Sequence, residues 1–265
     1  MLNRVVKISG GVVLGATMFV LLVAAVSTSK NAVLRDVQVR IDYQGENFFV
    51  DQEEIRESVL DMGIYKDSSL LTEIDPGVIE HMLSNNPFVE NAEVYSELNG
   101  VLHIDIAARN PILRVYDNVG QSVYIDRLGM IMPLSNKFSS RTPIANGHIF
   151  LPVGQFVGHN VNELLEKSSH PDADILMQLF EVASKTAQSE LWSAQFNQFY
   201  VNKDREIEMI PRVGDHRILL GTTLDLDKKL NKLEKFYVRG LNKTGWNEYK
   251  IINLKFANQV VCTKS

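Results

Sequence analysis

Apolar and polar positions along this chain fall into three regimes. Residues 8–26, ISGGVVLGATMFVLLVAAV, contain no charged side chain. A helix needs ~20 apolar residues to cross ~30 Å of hydrocarbon, so this stretch predicts a single N-terminal transmembrane helix. Short alternating and helical patterns follow as far as residue 109, and strand-like runs dominate after that.

In the middle regime, Val37, Val39, Ile41 and Tyr43 alternate with Gln38, Arg40 and Asp42, the period of a half-buried strand. Asp51 followed by Glu54 reads as a capping box. Ile55, Val59, Leu60 and Met62 then keep helical spacing until Gly63 stops it. Asp75 and Pro76 supply the N-cap and first position of a second helix. Its apolar face is Val78, Ile79, Met82 and Leu83, and Asn85-Asn86-Pro87 ends it. The alternating runs 91–98 and 101–108 flank Asn99-Gly100, which predicts a type I′ turn with positive φ at both residues. The resulting order, β-α-α-β-β, offers one sheet face for two helices to cover.

In the third regime, strands are expected at 112–116, 121–125 and 130–132. Asp117-Asn118-Val119-Gly120 and Asp126-Arg127-Leu128-Gly129 turn the chain between them. Residues 172–187 form a helix with Ile175, Leu176, Leu179, Phe180 and Ala183 on one side. Strands follow at 196–202, 206–211 and 216–220. A second helix carries Leu226, Leu230, Leu233 and Phe236 as far as Arg239. One long strand is expected over 250–262. The fold class is therefore α+β: a membrane span, a β-α-α-β-β module over 32–109, and a β-rich module with two helices over 110–265.

Charge and composition narrow the function. Arg4 and Lys7 precede the apolar stretch, which places residues 1–7 in the cytoplasm and the bulk of the chain outside it. Val23-Ala24-Ala25 offers a signal-peptidase site, but the stretch exceeds the ~7–15 apolar residues of a signal sequence, which favours an uncleaved anchor. Gly11 and Gly15 form a GxxxG, read as ordinary membrane-span glycine rather than a dimer contact. Across 265 residues, 27 Lys plus Arg against 32 Asp plus Glu give a net charge of −5, which argues against nucleic acid as a partner. The single cysteine, Cys262, excludes an internal disulfide, a CxxC pair and a structural zinc site.

Catalytic patterns are missing. His81, His103, His148, His159, His170 and His216 show no HExxH or HxH spacing, and there is no GxSxG elbow or phosphate-binding GxxxxGK[ST]. Glu206 and Glu208 could pair as acid and base, but read better as the wet face of a strand. Arg212, Asp215 and Arg217 read as a solvated turn. Trp192, Phe196, Phe199 and Tyr200 read as core, and Trp246 beside Gly245 as part of a surface loop. No catalytic residue, metal site or cofactor is expected.

Several of these stretches carry a family resemblance. The β-α-α-β-β order, the entry Asn86-Pro87-Phe88-Val89 and the exit Arg109-Asn110-Pro111 resemble a POTRA domain. Tyr124-Ile125-Asp126 with Gly129, Pro143 to Gly147, Lys228 with Leu230 and Leu233, and Asn253-Leu254-Lys255-Phe256 resemble the FtsQ/DivIB family of bacterial cell-division proteins. In that family the third of the last four residues is Arg and the fourth Tyr, so Phe256 lacks the hydroxyl. The resemblance implies a non-enzymatic, single-pass inner-membrane scaffold at the division septum. It would bind small bitopic proteins of the FtsB/FtsL type and couple them to septal peptidoglycan synthesis. It also implies a partner site at the end of the chain, carried onto Lys255, Phe256, Asn258 and Val260. A terminal strand with a free edge could accept a partner strand there. Two other classes compete: a POTRA-bearing polypeptide-transport or secretion accessory protein and a secreted or anchored cell-wall hydrolase. The first needs a membrane barrel that the third regime does not resemble. The second needs a catalytic constellation.

Overall fold

A computed structural model describes residues 16–19, 32–167, 170 and 172–264. Of the expected span at 8–26, only residues 16–19 are described, and they are helical. The rest of it, with Gly11 and Gly15, lies outside the described residues. Among the described residues, no helix is long and apolar enough to cross a membrane. The chain folds into two units. Of the described residues, one takes those up to Asp42 together with Val50–Ala108, and the other takes Tyr43–Phe49 and those from Arg109 onward.

The first unit contains β1 (Asp36–Asp42), α1 (Gln52–Asp61), α2 (Pro76–Ser84), β2 (Val89–Ser96) and β3 (Val101–Ala108). Both helices start where the sequence says. The Asp51 carboxylate accepts the Glu54 N–H at 2.8 Å, and Asp75 accepts that of Gly77 at 2.9 Å with Pro76 in the first turn. The sheet order is β1-β3-β2, with β1 parallel and β2 antiparallel to β3. Alternation puts Val39, Val94, Leu102, Ile104 and Ile106 on the buried face, and Ile55, Val59, Ile79 and Leu83 supply the buried residues of the helices. Leu60 and Val78, expected on the apolar faces, are exposed. Glu80 of α2 accepts the N–H of Val94 at 2.9 Å, which ties the helix to edge strand β2.

The β2–β3 turn differs from the expected type I′. Among non-glycine residues with positive φ, Asn99 is absent, whereas Gly100 has φ +95°. The Gly100 N–H donates to the Glu97 carbonyl at 3.0 Å, and the Asn99 side chain accepts the N–H of Val101 at 3.0 Å. The loop is thus a four-residue turn closed by one left-handed glycine, the other common hairpin solution. Asn99 works through its side chain instead of its backbone conformation. A Cβ on Gly100 would stand 2.7 Å from the Val33 carbonyl oxygen and 2.9 Å from Arg35 Cγ. Gly100→Val is therefore expected to destabilise this unit by about 2–4 kcal/mol, from backbone strain plus overpacking. Faster amide exchange in β3, with the second unit unaffected, is the measurement that checks it.

The second unit is built on a nine-stranded sheet. Its strands are β4 (Pro111–Tyr116), β5 (Ser122–Asp126), β6 (Ile131–Met132), β7 (Ile144–Gly147), β8 (Phe196–Val201), β9 (Ile207–Pro211), β10 (Arg217–Gly221), β11 (Tyr249–Asn253) and β12 (Val261–Lys264). Their order is β12-β11-β10-β9-β8-β7-β4-β5-β6. Five α-helices, rather than the two helices expected, occur among the described residues: α3 (Val161–Lys167), α4 (Ala173–Ala187), α5 (Glu190–Gln195), α6 (Leu226–Phe236) and α7 (Asn242–Thr244), with a 3-10 turn at Val153–Phe156 and a π-helical turn, Tyr237–Leu241, joining the last two. The two long ones are those that periodicity predicts. The others are too short for an apolar stripe to repeat. Ile175, Leu176, Leu179 and Val182 of α4 and Leu230 and Leu233 of α6 join Leu113, Val115, Phe196, Phe199, Met209 and Ile252 in one core.

The two Asp-x-x-Gly segments make the same turn twice. Asp117 Oδ1 accepts the N–H groups of Val119 and Gln121 at 3.0 and 2.8 Å, and Asp126 Oδ1 accepts those of Leu128 and Met130, both at 2.8 Å. Gly120 and Gly129 take φ +87° and +84° at the fourth position. Segment Tyr43–Phe49 also belongs to this unit. Phe49 is buried with its ring edge-on to Tyr124 (5.6 Å) and Phe138 (5.1 Å), and Ser140 donates to Asn47 Oδ1 at 2.6 Å.

One expectation is corrected here. Glu208 is not on a wet face: it is buried, and Arg217 and Asn202 donate to its carboxylate, each at 3.3 Å. Trp246 lies in a surface turn as expected, and its ring packs on Tyr237 (5.0 Å) and His216 (6.4 Å). His216 is buried, with Nε2 2.9 Å from the Tyr237 hydroxyl. Burial holds its imidazole below the ordinary value, against the opposing pull of the Trp246 carbonyl and Asp215. A histidine kept neutral by the fold is protonated first in the unfolded chain. Its contribution is therefore complete above about pH 6.5 and lost as pH falls below that value, at up to ~1.4 kcal/mol per pH unit. Urea midpoints taken from pH 7.5 to 5.5 should fall more steeply for the native chain than for His216→Asn. Equal slopes would remove His216 as the cause.

Candidate functional site

Sheet and site meet at the end of the chain. The expected strand over 250–262 is instead a hairpin: β11, a connection at 254–260, and β12 running back antiparallel to it. β11 lies between β10, to which it is parallel, and β12. Among the described residues, the open edge at this end of the sheet therefore belongs to β12. Four hydrogen bonds explain the break. The parallel ladder ends at Leu219↔Asn253, and its last rung is the Leu254 N–H donating to the Leu219 carbonyl at 2.9 Å. Asn253 Oδ1 then accepts the Lys255 N–H at 3.0 Å and turns the chain. Lys232, reaching across from α6, donates to the carbonyls of Leu254 (3.1 Å) and Phe256. These are the groups a straight strand would have spent on a ladder.

The four sequence-selected residues separate accordingly. Lys255 Nζ holds both carboxylate oxygens of Glu206, each at 2.8 Å. Phe256 is 46% exposed, and Asn258 is exposed in the same turn. Val260 is half-buried and packs toward the core instead. Lys255, Phe256 and Asn258 thus share one rim, and Val260 does not. Ala257 sits in the turn rather than in a ladder.

That rim borders an open cleft of about 400 Å³. Its other wall is the first half of α6, with Asp225, Lys228, Lys229 and Lys232, and its floor includes Glu206, Gly221 and Leu254. The helix is the crossover between parallel strands β10 and β11, so its N-terminal end and the carboxyl ends of both strands converge here. Lys228 pairs with Asp225 at 2.6 Å, which holds that carboxyl below its ordinary value. Lys229 is buried and donates to the Thr222 carbonyl at 2.8 Å. Burial, then the neighbouring Lys232, lower its ammonium. Burial also lowers Lys232. The sequence carried a signal for this wall. Lysines at 228 and 229 stand one turn before Lys232, near the start of a helix whose other side is apolar. Among the described residues, no cluster of His, Cys, Asp and Glu could hold a metal ion.

Comparison with known proteins bears on this architecture. A family model described as "FtsQ/DivIB, C-terminal related" matches residues 110–263, and one described as a POTRA-like domain matches residues 32–107. The chain is also similar to "Cell division protein FtsQ" of Rhodothermus marinus. The two are 24% identical over 196 residues, which is 72% of this chain and 66% of that relative, a little under two thirds of its length.

Proposed function

We propose that this chain, which belongs to the FtsQ/DivIB family, is a non-enzymatic scaffold of the bacterial cell-division complex. It is anchored in the inner membrane by residues 8–26, with residues 1–7 in the cytoplasm and both folded units outside. There it binds small bitopic division proteins of the FtsB/FtsL type and aligns them with septal peptidoglycan synthesis. The observation that carries the partner site is the open edge of β12 at the end of the nine-stranded sheet, next to the turn that holds Lys255, Phe256 and Asn258. An edge strand can be extended by a strand from another chain. Main-chain bonds then give affinity, and an exposed aromatic beside them gives selectivity.

The test is recovery of partners on the tagged full chain from membranes, with partners identified by mass spectrometry. Small bitopic division proteins should be recovered with the native chain. They should be lost with Thr263→Pro, which removes an N–H from β12, and reduced with Phe256→Ala. Unchanged tryptophan fluorescence would show that both variants remain folded. Recovery that survives both changes in folded protein places the partner elsewhere. A reporter active only outside the cytoplasm, fused after Ser265, should be active, and an inactive one would overturn the topology.

A further inference from the structure

We propose that the cleft between the first half of α6 and the turn after β11 receives carboxylate side chains from an acidic segment of a partner protein. Lys228, Lys229 and Lys232 are its cations, and Glu206 is an internal carboxylate that competes for the same space. That the partner is a division protein rests on the scaffold reading above. The chemistry of the cleft does not.

Charge comes first. Four lysines line the cleft against two carboxylates, Glu206 and Asp225. The excess of two positive charges stands in a chain whose net charge is −5. Two of the lysines already have carboxylate partners: Lys228 has Asp225, and Lys255 has Glu206. Among the described residues, the other two hydrogen-bond only to neutral groups. Lys229 donates to the Thr222 carbonyl, and Lys232 to the carbonyls of Leu254 and Phe256. An ammonium has three donors, so each of these can take a further acceptor. Their mutual repulsion in partly desolvated positions is what an entering carboxylate would relieve. The N-terminal end of α6, the positive end of its dipole, faces the same space.

The kind of anion follows from what the cleft already holds. Glu206 sits across Lys255 through both oxygens, and Asp225 stands at the opposite wall. These fixed negative charges leave room for single carboxylates spaced along a chain and repel a dense polyanion or a phosphate dianion. Phe256, exposed on the rim, offers an apolar contact beside the charges. An acidic protein segment matches both features. Glu206 then keeps Lys255 occupied until a partner carboxylate competes for it.

The experiment uses the full chain and a fluorescein-labelled ten-residue peptide of alternating glutamate and serine, read by fluorescence anisotropy at low and at physiological salt. The native chain should bind the peptide, with affinity falling as salt rises. Lys228→Glu, at an exposed position, should weaken binding tenfold or more. Arg40→Glu, an equal change of charge in the first unit, should change it less than twofold. Glu206→Gln should tighten binding about threefold. Lys229→Gln should also weaken binding, but its burial puts folding at risk, so the decision rests on Lys228. Equal losses in Lys228→Glu and Arg40→Glu would show diffuse attraction and overturn the site. No tightening in Glu206→Gln would overturn the competitor role. Displacement of the peptide by inorganic phosphate at matched ionic strength would make the cleft a phosphate site and overturn the choice of ligand. If the peptide binds as described while no division protein is recovered with the chain, the scaffold reading fails alone. If partners are recovered and the peptide does not bind, this inference fails alone.

Discussion

Asp126→Ala is expected to cost the second unit about 3–5 kcal/mol. The Asp126 side chain is fully buried, and its Oδ2 accepts from Arg109 Nη1 at 2.8 Å, with the guanidinium only 12% exposed. Taking both charges out of water is costly, and removing one leaves the other buried without its partner. The same carboxylate also receives two backbone N–H groups in the β5–β6 turn, worth about 1 kcal/mol each. Asp126→Asn keeps an oxygen for those N–H groups and removes only the charge, so it should cost less than the alanine change. Asp117→Ala is the internal control. Its turn is the same, but the structure records no cation on it, so about 1–2 kcal/mol is expected. The two tryptophans, Trp192 and Trp246, both lie in this unit, so their fluorescence in urea reports it selectively. Equal costs for Asp126→Ala and Asp117→Ala would show that the Arg109 pair contributes nothing.

Gly147→Ala is expected to be comparably severe, at about 2–6 kcal/mol. Gly147 has φ +110° and ends β7 opposite Val201 of β8. A Cβ there would run into the Val201 carbonyl oxygen and stand 2.9 Å from Tyr200 Cε2 and 3.0 Å from Val201 N. That carbonyl already accepts the His148 N–H at 2.9 Å, so it cannot withdraw without losing the bond. Backbone strain of about 1–3 kcal/mol adds to overpacking of about 1–3 kcal/mol. The same fluorescence measurement checks it, with Gly158→Ala as the comparison. Gly158 also has positive φ (+85°), but nothing lies within 4 Å of its Cβ position. It should therefore show the strain without the clash. If the two variants unfold at the same urea concentration, the approach of β8 does not set the requirement for glycine.

How far the sequence reached can be judged from such positions. Alternation through Leu102, Ile104 and Ile106 put the right side chains in the first core, because a strand's two faces follow from period two alone. Asp75 with Pro76, Asp51 before Glu54, and the two Asp-x-x-Gly turns were legible because each is settled by bonds that span four residues or fewer. The stripes of α4 and α6 were legible because they are long enough to repeat. The order of these elements was also what tied the chain to its family.

Tertiary structure decided the rest, and in each case the cause lies far along the chain. The run after Tyr249 has strand composition throughout, yet it breaks after Asn253. Its parallel partner β10 ends at Gly221, and Lys232 on another element takes the carbonyls beyond. Glu208 alternates like a solvent-facing residue but is buried, and exposed Arg217 of the next strand pairs with it. Trp246 stands beside a glycine in sequence, but it packs on His216 and Tyr237, which come from two other segments. The lysines of α6 were visible as a pattern. That they face Glu206 and the turn at Lys255 follows only from the crossover of α6 between β10 and β11. Periodicity and caps are properties of a short stretch of chain. The length of a ladder, the partner of a buried charge and the walls of a cleft are set by whichever distant segment the core brings alongside.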